Sequence, residues 1–513
     1  MSVAKVFSAA IDGIEAKRIE IETDINVGLH SFTIVGLADK AVSEAKERVS
    51  SALKNIGVKP PTKENRKIVV NLAPADVKKS GSHYDLAIAL GYLLASQQIK
   101  DFDSDRALFI GELALNGNVR GVSGTLNMAE MAKRSRIKEL FVPADNAAEA
   151  AIISGVTVFP VRTLRELIDH LEGRQIIIPQ SATDLSQHTR MQESFVDIAE
   201  IKGQEHAKRS LMIAAAGGHN LLMQGSPGSG KTMLAQALAS LLPPPQSEEI
   251  IEITKIYSAA GLLNLHPFIA WRPFRSPHQT ASSAAIIGGG QHPRPGEVSL
   301  AHRGVLFLDE LPEFRRDLLE ALRQPMESGR VVVSRVKDNV VFPARFMLAA
   351  AMNPCPCGYY GDEEKECRCN AFEVLRYQKK VSGPLLDRID LQVTVPRVKI
   401  EQLQATSSKY LESDALRNRI IAARELQKER FKRAGISVLT NSEMSSKQCE
   451  VIIDLDTPAK QFLKQMSEKA LLSARSYYRI MKTARTIADL SVTPRVTIDH
   501  LAEAFQYRLK EAQ

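Results

Sequence analysis

An α/β protein with a largely parallel central sheet is the fold class this sequence predicts, and three stretches predict it. Asn220, Leu221, Leu222 and Met223 read as a short buried strand. Gly225-x-x-x-x-Gly230-Lys231-Thr232 then opens a helix with apolar residues (Met233, Leu234, Ala237, Leu238) at helical spacing. Val305–Leu308 is an unbroken apolar run ending in Asp309-Glu310, and Phe346–Met352 is another ending in Asn353. Such runs suit parallel strands covered on both faces, and open α/β sheets gather ligands outside the carboxyl ends of their strands. All three stretches put their chemistry at that end.

The residue types in these stretches suit a phosphorylated ligand. Glycines let a loop wrap closely round phosphate with its N–H groups turned inward, beside the positive end of the following helix. Gly225, Ser226, Pro227, Gly228, Ser229 and Gly230 would form that cradle. Lys231 would reach the β- and γ-phosphates, and the Thr232 hydroxyl would complete a Mg²⁺ shell. Asp309 would hold the Mg²⁺ side of the nucleotide, and Glu310 would orient or deprotonate the attacking water. The neutral amide of Asn353 could hold that water without competing for the metal. Two adjacent carboxylates could by themselves be a loop cap; the glycine-rich loop upstream favours the catalytic reading.

Length and composition bound the rest. A chain of 513 residues exceeds one ordinary core, so about three domains are expected. With 44% apolar and 25% charged residues it is globular rather than disordered. The formal charge of +8 permits a nucleic-acid partner without requiring one. No apolar run reaches membrane-spanning length. The N-terminus soon meets Asp12, Glu15 and Lys17, which does not suit a signal sequence, so a cytoplasmic location is expected. Four of the five cysteines fall within residues 355–369, which points to a local metal or redox cluster rather than a disulfide framework.

From the N-terminus, strands are expected at Lys17–Asp24, Phe32–Gly36 and Arg66–Leu72, and an amphipathic helix over 38–56. An apolar helix follows over Asp85–Gln97. Leu108–Leu115 and Val119–Val122 read as a hairpin about Asn116-Gly117. A helix over 125–134 and the segment Glu139–Pro143 complete a mixed α/β domain spanning 1–170. Residues 171–192 read as a linker, because Pro179–Gln192 is rich in Ser, Gln and Thr. The nucleotide core is placed at 193–400 and an all-helical region at 401–513. Ile201 would offer apolar surface to a base, and Gly203 close backbone approach.

Residues 243–300 are long for a connection. A helical start at 247–259 leads into Trp271-Arg272-Pro273-Phe274-Arg275 and a glycine-rich run, which could touch a polyanion or serve as a subunit interface. His278, His292 and His302 lack ligand spacing and read as hydrogen-bonding or interface residues. Arg330–Val336 and Asn339–Phe342 suit a hairpin; Arg335 and Lys337 near its tip could contact a phosphate backbone or be ordinary solvated charges. Cys355, Cys357, Cys367 and Cys369 could converge on tetrahedral Zn²⁺. A redox pair and four reduced thiols are the alternatives.

The chain resembles, over essentially its whole length, the magnesium-chelatase-like AAA+ ATPases of bacterial competence, the ComM/YifB group. The stretches VGLADKAV, VNLAPADVKKSGSHYDLAIALG and FIGELALNGNVRGVSG carry the resemblance at the N-terminus. It implies a domain similar to the Lon protease domain, of the ribosomal S5 domain 2-like α/β fold. His83 stands where the Lon serine would be, and no lysine matches the Lon base, so a non-proteolytic domain is implied. Ile201-Lys202-Gly203-Gln204 resembles the stretch that meets adenine in AAA+ proteins, and Asn353 the sensor-1 residue. In Gly383-Pro384-Leu385-Leu386-Asp387-Arg388-Ile389-Asp390 the resemblance makes Arg388 an arginine that enters a neighbour's ATP site, with an ion pair to Asp387 or Asp390 as the alternative. Arg475 matches the sensor-2 arginine of a C-terminal helical lid, and Arg479, Lys482 and Arg485 read as an additional basic face.

The resemblance thus implies a ring-forming homo-oligomer, a hexamer, using ATP and Mg²⁺ on single-stranded, duplex or branched DNA. Branch migration in recombination during natural transformation, with recombination proteins as partners, is the implied role. The alternatives are an ATPase driving a separate metal-insertion subunit, or a protein-remodelling module.

Overall fold

The computed structural model describes the chain except residues 1–2, 62–64, 186–195, 264–265, 291–292, 335–338, 399–408, 470–471 and 509–513. Two compact units emerge: Met1–Thr189 with Gln246–Ala270 and Ser334–Phe342, and Arg190–Pro245 with Trp271–Val333 and Pro343–Gln513.

The first unit is built on a four-stranded sheet and a three-stranded parallel sheet. Ala4–Asp12 and Glu15–Val27 pair antiparallel, Arg66–Ala73 continues that pattern, and Ser31–Val35 adds in parallel. Alternation along Glu15–Val27 buries Ile19, Ile21, Thr23 and Ile25 on one face. Against this sheet lies the Asp85–Ala95 helix, buried over most of its circumference. The expected helix over 38–56 is two pieces, Lys40–Ser43 and Ala45–Asn55, with Asp39 capping the first through the Val42 N–H at 2.8 Å.

The expected strand over Leu108–Leu115 is also divided. Ala107–Phe109 pairs in parallel with Glu139–Phe141, whereas Glu112-Leu113 turns back on Val119-Arg120. Gly111 stands between them, where an added Cβ would lie 2.6 Å from the Val119 side chain. The Asn116-Gly117 turn is formed, with Gly117 at φ 87°.

The helix Ser247–Ala260 belongs to this first unit, although the sequence pattern attached it to the nucleotide core. Ile250, Phe268 and Ala270 join the cluster that contains Leu126, Met128, Leu140 and Val142. Lys255 pairs with Glu130 at 2.5 Å, Ser258 donates to Glu149, and the Gly124 N–H donates to the Ser258 carbonyl at 3.0 Å. Its apolar residues satisfy a core remote in sequence, so it is not a surface insertion.

The second unit has a five-stranded all-parallel sheet. Its order is Phe274-Arg275, Val305–Leu308, Met347–Met352, Leu221–Gln224, Leu391–Thr394. The phosphate-loop strand therefore lies inside the sheet, next to the strand that ends at Asn353. Phe274-Arg275 is its edge strand, and Arg275 pairs with Glu297 at 2.5 Å. Arg272 donates to the carbonyls of Pro243 and Arg303, both at 2.9 Å. Arg272 and Arg275 thus have partners within this unit.

Arg330–Ser334 and Asn339–Pro343 form the expected two-stranded ladder. Arg335 and Lys337 lie outside the described residues, as does His292. Helices Lys409–Arg433, Ser446–Ile452, Thr457–Lys469, Ala474–Leu490 and Ile498–Gln506 make up the C-terminal helical region. Ile480, Ala484, Ile487 and Ala488 bury one face of the Ala474–Leu490 helix in the same core as the sheet.

Candidate functional site

Three carboxyl strand ends deliver the predicted residues to one place. Leu221–Gln224 runs into Gly225, and the Lys231–Leu241 helix starts at once behind Gly230, which has φ 89°. Gly225 is pressed against the Val395 carbonyl, where an added Cβ would come within 2.2 Å, so the loop closes here only with glycine. The Lys231 ammonium donates to the carbonyls of Gly225 and Ser226 at 2.9 and 3.0 Å, and approaches Asn353 Oδ1 at 3.3 Å. Burial pushes its pKa down, while Asp309 and Glu310 oppose that shift. The Thr232 hydroxyl donates to Asp309 Oδ2 at 3.0 Å.

Lys231, Thr232, Asp309 and Asn353 are therefore mutual neighbours, joined through these contacts. Thr232 and Asp309 supply the hard oxygen donors that Mg²⁺ takes alongside phosphate. Glu310 follows in the left-handed region at φ 51°, exposed, with its N–H donated to Asp309 Oδ1 at 2.9 Å. A non-glycine residue held in that region is uncommon and concentrates at functional sites.

Beside the loop is a cleft of about 510 Å³ whose lining includes Ile201, Gln204, Gly228, Ser229, Gly230 and Met233. Ile201 and the loop glycines thus share one cavity. Its lining also includes Glu364, Arg397 and Val398, which sequence reasoning missed. Arg397 follows the core strand Leu391–Thr394 by three residues, so the strand-end rule applied to all five strands would have marked it.

Arg388 and Arg475 stand apart from this group. Arg388 is 8% exposed, and its guanidinium pairs with Glu327 at 2.8 Å and donates to the Pro384 carbonyl at 2.6 Å. Its ion partner is neither Asp387 nor Asp390. Arg475 pairs with the same Glu327. Burial would raise the Glu327 pKa, but the hydrogen bond and charge of Arg388, with those of Arg475, hold it below the usual carboxylate range. Nothing in the sequence singles out Glu327.

The basic face expected on the Ala474–Leu490 helix is an interior ion network. Arg479 pairs with buried Asp390 and donates to the Arg388 carbonyl at 2.8 Å. Asn220 Nδ2 donates to that same carbonyl at 3.0 Å. Lys482 donates to the Ser442 carbonyl at 2.9 Å, and Arg485, 3% exposed, to the carbonyls of Thr493 and Pro494. Cations at this spacing looked like a solvated stripe; burial on that face turned them inward, each with an oxygen partner.

The four cysteines converge. Cys355 Sγ lies 3.3 Å from Cys357 Sγ and 3.7 Å from Cys367 Sγ, Cys357 and Cys367 are 3.6 Å apart, and all four sulfurs fall within 4.8 Å of one another. Zn–S bonds of about 2.3 Å in a tetrahedron put sulfurs roughly 3.8 Å apart, so the set fits Zn²⁺. Backbone N–H groups of Tyr359 and Arg368 pull the Cys357 pKa down to about 6, which favours a thiolate donor.

In the first unit, Ser82 donates to Glu112 and buried Lys79 to the Pro74 carbonyl, so these two side chains serve different partners. Burial pushes the His83 pKa down to about 4, leaving the ring neutral.

Three family models match the chain. Models described as magnesium chelatase, subunit ChlI, match residues 197–403; subunit ChlI of Mg-chelatase, 21–146; and magnesium chelatase, subunit ChlI C-terminal, 411–508. With the phosphate loop, the acidic strand end and the polar strand end brought together, they define an AAA+ ATPase of the magnesium-chelatase type, with ATP and Mg²⁺ as its cofactors.

The competence protein ComM of Haemophilus influenzae is 43% identical over 515 residues, covering 99% of this chain and 98% of that protein. YifB of Escherichia coli is 41% identical over 508 residues, covering 99% and 97%. The magnesium-chelatase subunit ChlI of Euglena gracilis is 23% identical over 348 residues, 61% of this chain and 89% of that protein. The chain belongs to the ComM/YifB family of magnesium-chelatase-like AAA+ ATPases. No described helix is long and apolar enough to cross a membrane.

Proposed function

We propose that the protein is a ring-forming, DNA-dependent motor that promotes recombination, by branch migration, during natural transformation. The observation that carries this reading is the near full-length similarity to a competence protein, joined to a nucleotide site whose parts converge. In this reading Ile201 meets the base, the residues 225–230 and Lys231 hold the phosphates, and Thr232 and Asp309 hold Mg²⁺. When bound, Mg²⁺ would supply positive charge beside the transferred phosphoryl group. Glu310 orients or deprotonates the attacking water, and Asn353, already beside Lys231, holds that water. The first unit, whose motifs resemble the N-terminal domain of the ComM/YifB group, acts without proteolysis.

Arg388 enters the neighbour's active site, and Arg475 meets the γ-phosphate as a sensor-2 arginine. Both are held by Glu327 in the single chain, a carboxylate that a γ-phosphate would replace as their partner. A hexamer is the assembly this reading expects. Magnesium insertion through a separate subunit is the second reading, favoured by the ChlI matches.

Turnover measured alone, with single-stranded, duplex and branched DNA, and with unfolded protein separates these. Stimulation by branched DNA is expected; stimulation by unfolded protein alone, or by no nucleic acid, would overturn the motor reading. Arg335 and Lys337 on the hairpin are assigned to the DNA backbone. Changing both to Ala should reduce the dependence of DNA affinity on log salt by roughly one for each phosphate left unneutralised, with ATP binding unchanged.

A further inference from the structure

We propose that metal bound by the four cysteines sets the affinity of the phosphate loop for nucleotide, by fixing one wall of its cleft. The inference rests on reading that cleft as the nucleotide site and the cysteines as a metal site. It assigns to the metal a regulatory consequence beyond local folding.

The four-cysteine loop lies directly on the phosphate loop. Gly358, at φ 86°, is packed so closely that an added Cβ would come 2.5 Å from Pro227 Cδ. Arg397 ties the two loops together. Its guanidinium pairs with Asp362 at 3.2 Å and reaches Glu364 at 3.7 Å, and its Nε donates to the Ser226 hydroxyl at 3.3 Å. The same guanidinium sits 5.3 Å from the Tyr359 ring centroid. Glu364 and Arg397 line the same cleft as the loop glycines.

What holds Asp362 and Glu364 in place is the thiol cluster. No residue from 361 to 370 is buried, so this stretch has no apolar anchor of its own before the following helix. The Asp362 side chain is covered by Arg397, but Glu364 is 62% exposed, and an exposed ion pair contributes little by itself. Four thiolates on one divalent cation close the loop from both ends, and closure of this kind is where a metal adds most order. Removing the ion would free Asp362 and Glu364, and with them the orientation of Arg397 over Ser226. If the freed loop forms the wall about a tenth of the time, apparent nucleotide affinity falls about tenfold.

The test uses the full-length reduced protein. Metal content is measured by elemental analysis. Affinity for a fluorescent ADP is measured before chelation, after chelation with Mg²⁺ restored, and after Zn²⁺ is returned. A weakening of about tenfold that Zn²⁺ reverses is expected. Two variants carry the test should the metal-free chain lose its fold. Asp362→Asn with Glu364→Gln should keep the metal and still weaken ADP binding, and Gly358→Ala should do the same by lifting the loop off Pro227. Unchanged affinity in both variants, or after metal removal from a protein that remains folded, overturns the inference and leaves the metal site and the ATPase standing. Absence of metal from fresh reduced protein overturns the metal site and the inference together. Equal ADP binding by Lys231→Ala and the parent overturns the nucleotide-site reading itself.

Discussion

A single lysine and a pair of arginines in the second unit are held in opposite ways. Lys231 is enclosed by neutral oxygens of its own loop and by Asn353, and burial alone lowers its proton affinity. Arg388 and Arg475 are held by a full carboxylate, Glu327, which is itself 41% exposed at its side chain. A cation among carbonyls retains most of its charge for an anion that arrives. A cation on a carboxylate must first give up that partner. Under the proposed function, an arriving phosphate meets Lys231 without displacing a carboxylate, whereas at Arg388 and Arg475 it must displace Glu327.

The largest expected effect tests that contrast directly. Lys231→Ala should abolish nucleotide binding, and Glu310→Gln should bind ATP yet lose turnover by about 10²–10⁴-fold, the range for a general base. Arg388→Ala should bind ATP nearly normally and hydrolyse it slowly; arginines supplied in this way are worth about 10³–10⁵ in other phosphoryl-transfer enzymes. Mixing Arg388→Ala with Lys231→Ala should restore part of the turnover, because some interfaces then pair an intact lysine with an intact arginine. No recovery, with subunit exchange verified by labelled protein, would return Arg388 to an intrachain role and erase the contrast.

A smaller effect comes from the support behind Arg388. Asp390 is 5% exposed and faces Arg479 and His219. Burial would raise its pKa, but Arg479, then His219, hold it below the usual carboxylate range. Breaking such a buried pair costs about 3–5 kcal/mol, so Asp390→Asn should lower the denaturant midpoint markedly. The sign with pH follows from the depression: the stabilisation is complete above the ordinary carboxylate pKa and is lost as pH falls through the lower folded value. The parent should therefore lose part of its stability in acid, and Asp390→Asn should lose less there.

The smallest effect belongs to Glu327→Gln. An exposed partner of this kind contributes about 0–1 kcal/mol, so the midpoint should barely move. Any change should appear in turnover through the released arginines. A loss of stability comparable to that of Asp390→Asn would show the cluster to be structural rather than exchangeable.

Asp309 and Asn353 were legible because each ends a continuous apolar run, the mark of a buried parallel strand, and Gly225 because it opens the glycine-rich pattern that ends in Gly230-Lys231-Thr232. The same reasoning located the Ala474–Leu490 helix but mistook its cations: spacing places Arg479, Lys482 and Arg485 along a helix without saying what packs against them. The Ser247–Ala260 helix was legible as a helix and misassigned as to core, since apolar periodicity does not name a partner. Glu327 and Arg397 left weaker signals still, one a lone carboxylate near a helix end and the other an arginine past a strand.

By itself the sequence determined the nucleotide loop, the acidic and polar strand ends, the cysteine set and the family, all of which are written in local spacing. Tertiary structure alone decided which core receives residues 246–270, that Glu327 joins Arg388 to Arg475, and that Arg397 links the cysteine loop to Ser226. Those facts depend on contacts between residues distant along the chain. Their geometry is set by how strands and helices pack, and no local pattern of residue types encodes it.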